Sequence, residues 1–282
     1  MAAINDAELF KVPGLVAVIT GGGSGLGLMM AKALASNGAK KVYIIGRRQQ
    51  KLDEAAKDHD NIIPVQGDVT SKDSLAKIAE KVKAEAGYLN LLVANSGTIG
   101  PLMESLPDKP SLAQLSETFW SWSDESFNSV FALNNTAAFF TAAAFLELLD
   151  AGNKPGNGPD YQPQILFTSS LAGLSRKFTT GVAYSTSKAG TVHLAKAMAT
   201  YLAPYSIRVN TLAPGIFPSE MTEGHIGASA GFSQSTIPAG RVGSDEDMRG
   251  TILWLAGRAG AYISGMVILI DGGRLSLQPS TY

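Results

Sequence analysis

Two hydrophobic rhythms alternate along this chain. Short β-rich apolar runs at Leu15–Thr20, Lys41–Ile45, Ile62–Gln66 and Leu89–Ala94, bounded by glycine or polar residues, predict strands. Between them, Leu26–Ser36, Gln49–Lys57 and Ser71–Ala86 read as helices, and Asn37-Gly38 is a stop signal for the first. The alternation continues with strands at Gln164–Thr168, Ser206–Leu212 and Met266–Ile270. Further helices are expected at Asp124–Leu149, Tyr184–Leu202 and Asp245–Leu255. Strands and helices in this order predict right-handed βαβ units on a parallel sheet, an α/β fold.

Three stretches break the pattern. Gly100–Ser123, with its prolines and serines, reads as a long surface excursion, and Gly152–Pro163 as a turn-rich loop. Ile216–Gly240 is rich in Gly, Ser and Ala with little periodicity, which suggests a lid over a site and the least ordered stretch of the free chain. With no repeat or linker, a single domain over residues 1–282 is expected, opening on a short polar arm at 1–13.

Composition narrows the function classes. The 282 residues are 45% hydrophobic and 17% charged, ample for one large core. A net charge of −1 argues against a nucleic-acid partner. The absence of cysteine excludes disulfides, thiolate metal sites and a cysteine nucleophile. His59, His193 and His225 are too scattered for a metal site, so no metal is expected. No apolar run reaches the ~18 residues of a membrane helix, and the first residues lack a secretory pattern, so no membrane partner and a cytoplasmic location are expected. Ser244-Asp245-Glu246-Asp247 reads as a capped, acid-rich first helical turn, Met29-Met30 as core, and Phe139, Phe140 and Phe145 as a packed helix face.

The chemistry concentrates in a few places. Thr20-Gly21-Gly22-Gly23-Ser24-Gly25-Leu26-Gly27 follows the first strand and opens the first helix. There, bare backbone and a helix N-terminus can cradle a diphosphate. At the end of the second strand an acid would favour NAD; this chain has Gly46 followed by Arg47 and Arg48, whose guanidinium groups suit a 2′-phosphate and favour NADP(H). Gly67-Asp68-Val69 ends the third strand, where Asp68 either accepts from an adenine amino group or caps the helix near Ser71. At the end of the fourth strand, the small residues of Asn95-Ser96-Gly97 let a ribose lie against the backbone.

Tyr184 and Lys188 are four apart and share a helix face. A free tyrosine titrates near ~10; an adjacent ammonium and an oxidised nicotinamide lower that value, so the phenol can exchange a proton with a carbonyl or hydroxyl oxygen. Of the adjacent pair Ser169 and Ser170, Ser170 is favoured to hold the substrate oxygen, with Ser169 a turn or cap residue. Asn134, in the middle of a long helix, either binds a water that extends a proton relay from Lys188 or is a kink or polar core residue.

Taken in order, these motifs resemble the short-chain dehydrogenase/reductase family in its single-domain form, over about Gly14 to Gly273. The resemblance implies a Rossmann-type, doubly wound parallel sheet of about seven strands with helices on both faces. It implies a catalytic tetrad of Ser170, Tyr184, Lys188 and Asn134, with Lys188 also on the nicotinamide ribose. It implies that the segment after Pro214-Gly215 contacts the carboxamide through Ile216 and Ser219, and that the chain is a homodimer or homotetramer. Ser96 and Ser219 depart from the family's usual Ala and Thr, and Phe217-Pro218-Ser219-Glu220-Met221-Thr222 looks like fungal members. The expected activity is hydride transfer between NADP(H) and a carbonyl or secondary alcohol of a hydrophobic small molecule, in a pocket lined in part by Phe178, Phe217 and Met221. The alternatives are a non-catalytic NADP-binding regulator, or imine reduction or dehydration at the same site.

Overall fold

The computed structural model describes residues 5–103, 106–107, 109–178, 180–222 and 232–281. His225 and the middle of the expected lid therefore lie outside the described residues. The strands are β1 (Val16–Thr20), β2 (Lys41–Gly46), β3 (Ile62–Gln66), β4 (Leu91–Ala94), β5 (Gln164–Thr168), β6 (Arg208–Pro214) and β7 (Val267–Ile270). They form one sheet in the order β3-β2-β1-β4-β5-β6-β7, with every pairing parallel. Pro64 falls on the edge strand β3, where a missing N–H is tolerated.

Successive strand residues point to opposite faces and build two cores. Val16, Val18, Tyr43 and Ile45 pack with Leu75 and Ile78 of α3 (Lys72–Glu85) and with Ala195 and Met198 of α8 (Val182–Leu202). Ala17, Ile19, Val42 and Ile44 pack with Met30 and Leu34 of α1 (Gly25–Ser36), Leu52 of α2 (Gln49–Ala56) and Ile252 of α9 (Asp245–Ala256). The sheet is thus covered on both faces, and its switch point lies between β1 and β4.

The structure corrects the sequence reading in four places. The surface excursion carries a helix, α4 (Leu112–Trp120), started by a capping box in which Ser111 and Gln114 exchange bonds. The helix expected over 124–149 is broken into α5 (Asp124–Phe131), a π-helical turn (Ala132–Ala137), α6 (Ala138–Ala144) and α7 (Leu146–Gly152). Phe145 is buried at the last break, whereas Phe139 is 42% exposed and not part of the packed face. The N-terminal arm is docked: its 3-10 turn, Asp6–Phe10, lies so near Gly257 that an added Cβ there would come within 2.6 Å of Leu9 O. Among the described residues, no single helix is long and apolar enough to cross a membrane.

Candidate active site

The carboxyl ends of β1 to β6 open into one cleft. At β1 the chain turns through Gly21, at φ +67, a conformation that favours glycine. A Cβ on Gly27 would lie 2.3 Å from Gly21 O, so helix α1 rests directly on the turn. The Thr20 hydroxyl accepts the N–H of Asn95 (2.9 Å) and of Ser96 (3.0 Å), and Asn95 Nδ2 donates to Thr20 O (3.0 Å). Those bonds pin the β4 end to the β1 end, so the Asn95 side chain locks the crevice. Ser24 starts α1 without a side-chain cap, and no acid stands in the first turn; the helix N–H groups and the positive dipole end face the cleft. The buried Thr168 hydroxyl, on the same wall, has no hydrogen-bond partner among the described residues. An uncapped helix start over bare glycine and an unpartnered buried hydroxyl fit a dinucleotide.

Asp68 is not the cap of α3. Its carboxylate accepts from Thr70 N (2.9 Å) and Thr70 Oγ1 (2.7 Å), which holds it below the usual carboxylate range, and Ser71 caps the helix. Asp68 and Val69 line the cleft, as do Gly23, Ser24, Gly25, Leu26, Arg47 and Arg48. Ser96, Gly97, Ser170, Tyr184, Lys188, Pro214, Gly215 and Ser219 line it too.

Three expected residues stand behind that lining. Gly27 is buried under the turn. Ile216 accepts from Gly243 N (2.9 Å). Asn134 donates to Thr98 O (3.0 Å) and Ser187 Oγ (2.9 Å) and accepts from Thr98 N (2.9 Å). With both amide protons committed to protein acceptors, its side chain braces α8 against the β4 end. Gly97 makes this possible: a Cβ there would lie 3.1 Å from Asn134 Oδ1 and 3.2 Å from Lys188 Nζ.

Helix α8 presents Tyr184 and Lys188 to the cleft and is tied down around them. Lys188 Nζ donates to Thr168 O (2.9 Å), and Ser169 Oγ donates to Lys188 O (2.7 Å), so of the two serines Ser169 is the structural one. Ser170 accepts from Ala172 N (3.2 Å) and opens the loop that follows. That loop is strapped by the C-terminal tail: Arg176 N donates to Pro279 O (2.8 Å), Thr281 N to Leu174 O (2.8 Å) and Ser175 Oγ to Gln278 Oε1 (2.9 Å).

The electrostatics differ from the sequence expectation. Burial pushes the Tyr184 phenol up, opposed by a hydrogen bond from Ser170. Lys188 Nζ stands 5.7 Å from the Tyr184 ring centre, and burial pulls its ammonium down to about 8. In the protein alone, burial is the larger influence on the Tyr184 phenol.

Of the apolar residues expected to wall the substrate pocket, Phe217 and Met221 border the cleft, Phe217 being 3% exposed with its ring against Gly243, whereas Phe178 is outside the lining. Sequence reasoning missed Thr168, whose orphan hydroxyl only burial reveals, and Glu220, which reaches across the cleft to Arg48 (2.7 Å) and Lys51 (3.6 Å).

A family model for short chain dehydrogenase matches residues 15–227. The short-chain dehydrogenase/reductase PhomF of Diaporthe leptostromiformis is 48% identical over 284 residues, covering 98% of this chain and 96% of the relative. VdtF of Byssochlamys spectabilis, of the same description, is 43% identical over 303 residues, covering 99% of each. Among solved structures, the Pseudomonas aeruginosa RhlG/NADP active-site complex matches with a TM-score of 0.81 and 30% identity, over 95% of this chain and 99% of that one. The glycine turn at the switch point and these matches along nearly the whole chain lead to one conclusion: it belongs to the short-chain dehydrogenase/reductase family of oxidoreductases.

Proposed function

We propose that the chain is an NADP(H)-dependent oxidoreductase that interconverts a carbonyl and a secondary alcohol on a hydrophobic small molecule. The family uses nicotinamide dinucleotides, and the observation that carries the choice among them is the β2 end. Gly46 supplies no acid there, and Arg47 and Arg48 line the cleft beside it. Two guanidinium groups favour a 2′-phosphate over a 2′-hydroxyl. The NADP complex of the 30% identical RhlG supports the same choice.

In this reading, Gly21 to Gly27 hold the diphosphate, Asp68, Val69 and Asn95 to Gly97 border the adenosine half, and Pro214, Gly215, Ile216 and Ser219 border the nicotinamide half. When bound, the dinucleotide supplies or accepts a hydride. Tyr184 gives its phenolic proton to the carbonyl oxygen in reduction and removes the hydroxyl proton in oxidation. Ser170 donates a hydrogen bond to the same oxygen. Lys188 binds the ribose and, while charged, favours the phenolate. Asn134 keeps the α8 turn of Ser187 in place.

Consumption of NADPH with a panel of ketones and aldehydes tests the reading. The parent should bind NADPH at least about tenfold tighter than NADH, or ~1.4 kcal/mol. Tyr184→Phe should lower turnover by roughly 10²–10⁴ while keeping dinucleotide affinity. A Tyr184→Phe protein that turns over at the parent rate removes the phenol from the chemistry. A parent that binds NADPH and turns over no carbonyl, alcohol or imine supports the regulator instead.

A further inference from the structure

The acid missing from the end of β2 is replaced by one from a different part of the chain. Glu220 follows β6 by six residues, yet its carboxylate stands 2.7 Å from Arg48 Nη2 and 3.6 Å from Lys51 Nζ. Arg48 is the N-cap residue of α2, Lys51 lies in its first turn, and that turn carries no acid of its own. All three side chains border the same cleft as Gly46 and Arg47.

The backbone that presents Glu220 is held on both sides. Phe217 is anchored in the core against Gly243. Thr222 Oγ1 donates to Phe217 O (2.7 Å) and accepts from Ser219 N (3.0 Å), which closes the turn around Glu220. Ser219 in turn lies over the glycine turn, with its Cβ 3.1 Å from where a Cβ on Gly25 would stand. The hydrogen bond from Arg48 holds the Glu220 carboxyl below the usual carboxylate range, so it is ionised at neutral pH.

We propose that Glu220 sets how strongly the protein discriminates between the two dinucleotides: its carboxylate occupies Arg48 and Lys51 as an internal counter-ion, and a ribose 2′-phosphate binds by displacing it. This rests on the NADP(H) reading above. A 2′-phosphate carries close to two negative charges and three acceptor oxygens, against one charge on the carboxylate, so it wins the cations. A 2′-hydroxyl carries no charge and leaves the Glu220 pairing intact. The preference for NADPH is therefore smaller than the cations alone would give. Both partners are about half exposed, so the effect is severalfold rather than orders of magnitude.

The test is an equilibrium titration of NADPH and NADH, followed by protein fluorescence, on the parent, Glu220→Gln, Arg48→Gln and the double variant. Glu220→Gln should bind NADPH about threefold tighter and NADH within about twofold of the parent. In the Arg48→Gln background the same substitution should bring no gain for NADPH, and the gain in the parent background should shrink at about 0.5 M salt. An equal gain for both dinucleotides, or no gain for NADPH, overturns the proposal. Equal affinity of the parent for NADPH and NADH would refute the NADP(H) reading itself. The role of Glu220 is read separately, from the change in the NADPH-to-NADH ratio on Glu220→Gln, and a rise in that ratio supports it in either case.

Discussion

Replacing Gly27 by alanine probes the turn proposed to hold the diphosphate. The added Cβ would lie 2.3 Å from Gly21 O and 2.8 Å from Asn95 Nδ2. Neither neighbour is free to move. Gly21 donates its N–H to Ile45 O (2.8 Å), and Asn95 Nδ2 is bonded to Thr20 O (3.0 Å). Helix α1 must therefore back away from the end of β1. Overpacking of this kind costs about 1–3 kcal/mol; at roughly 2–4 °C per kcal/mol, a mid-range loss lowers Tm by about 4–8 °C. The matched control is Gly250→Ala. Gly250 lies inside α9, and an added Cβ meets nothing within 4 Å. Alanine there should gain about 0.5–1 kcal/mol and raise Tm by roughly 1–4 °C. Thermal unfolding reads both changes, and fluorescence titration with NADPH reads the cradle. Gly27→Ala should weaken NADPH at least about tenfold, and Gly250→Ala should leave it unchanged. A folded Gly27→Ala protein with parent affinity would refute the assignment of the diphosphate to this turn.

Three further outcomes are expected. Burial pulls Lys188 from its ordinary 10.5 to about 8, so above pH 8 the folded chain binds fewer protons than the unfolded one. Stability should then rise between about pH 8 and 9.5, by up to about 2 kcal/mol. Urea unfolding of Lys188→Met should lack that rise, and equal slopes in the two proteins would contradict it. Arg208 is buried and donates to Gln162 O, Gln164 Oε1, Gly260 O and Ile263 O. Arg208→Met should therefore cost about 3 kcal/mol or more and lower Tm by roughly 6–12 °C with NADPH affinity retained; an unchanged Tm would deny the network any weight. Ending the chain after Leu277 removes the strap on the loop after Ser170. Substrate KM should rise while NADPH affinity holds, and an unchanged KM would show that the loop keeps its shape alone.

The elements that carried a clean local period were legible in the sequence. β3 has the predicted bounds, and α9 starts at the expected serine cap, because strand alternation and capping are short-range signals. The glycine turn was legible for the same reason. Most of what failed depended on tertiary context. Leu112, Leu115 and Phe119 share one face of α4 and the Ser111–Gln114 box starts it, but Pro101, Pro107 and Pro110 just upstream make the stretch read as a loop. The π turn packs against α8 and α6 against β4, contacts that no window of sequence contains. The upward push on Tyr184 comes from burial, and its spacing to Lys188 says nothing about desolvation. Glu220 was invisible because it meets Arg48 across 172 residues.

The π turn at Ala132–Ala137 makes this part of the chain sensitive to length rather than to composition. Such a turn holds one residue more than the α-helix around it, and each helical residue turns the chain by about 100°. Here the wide turn leaves Asn134 O to accept from Thr191 Oγ1 (3.1 Å), while Asn135 Nδ2 donates to Ser187 O (2.9 Å). Loss of a single residue between 132 and 137 would restore a plain helix. A second loss, with no extra residue left to absorb it, would swing α5 by about 100° relative to α6, carrying the buried Val130 away from its contact with Gly100. The joint thus separates two regimes of tolerance. Upstream of it, the excursion bearing α4 can lengthen or shorten without reaching α8. Within it, an insertion or deletion re-aims Asn134 however conservative the residues exchanged.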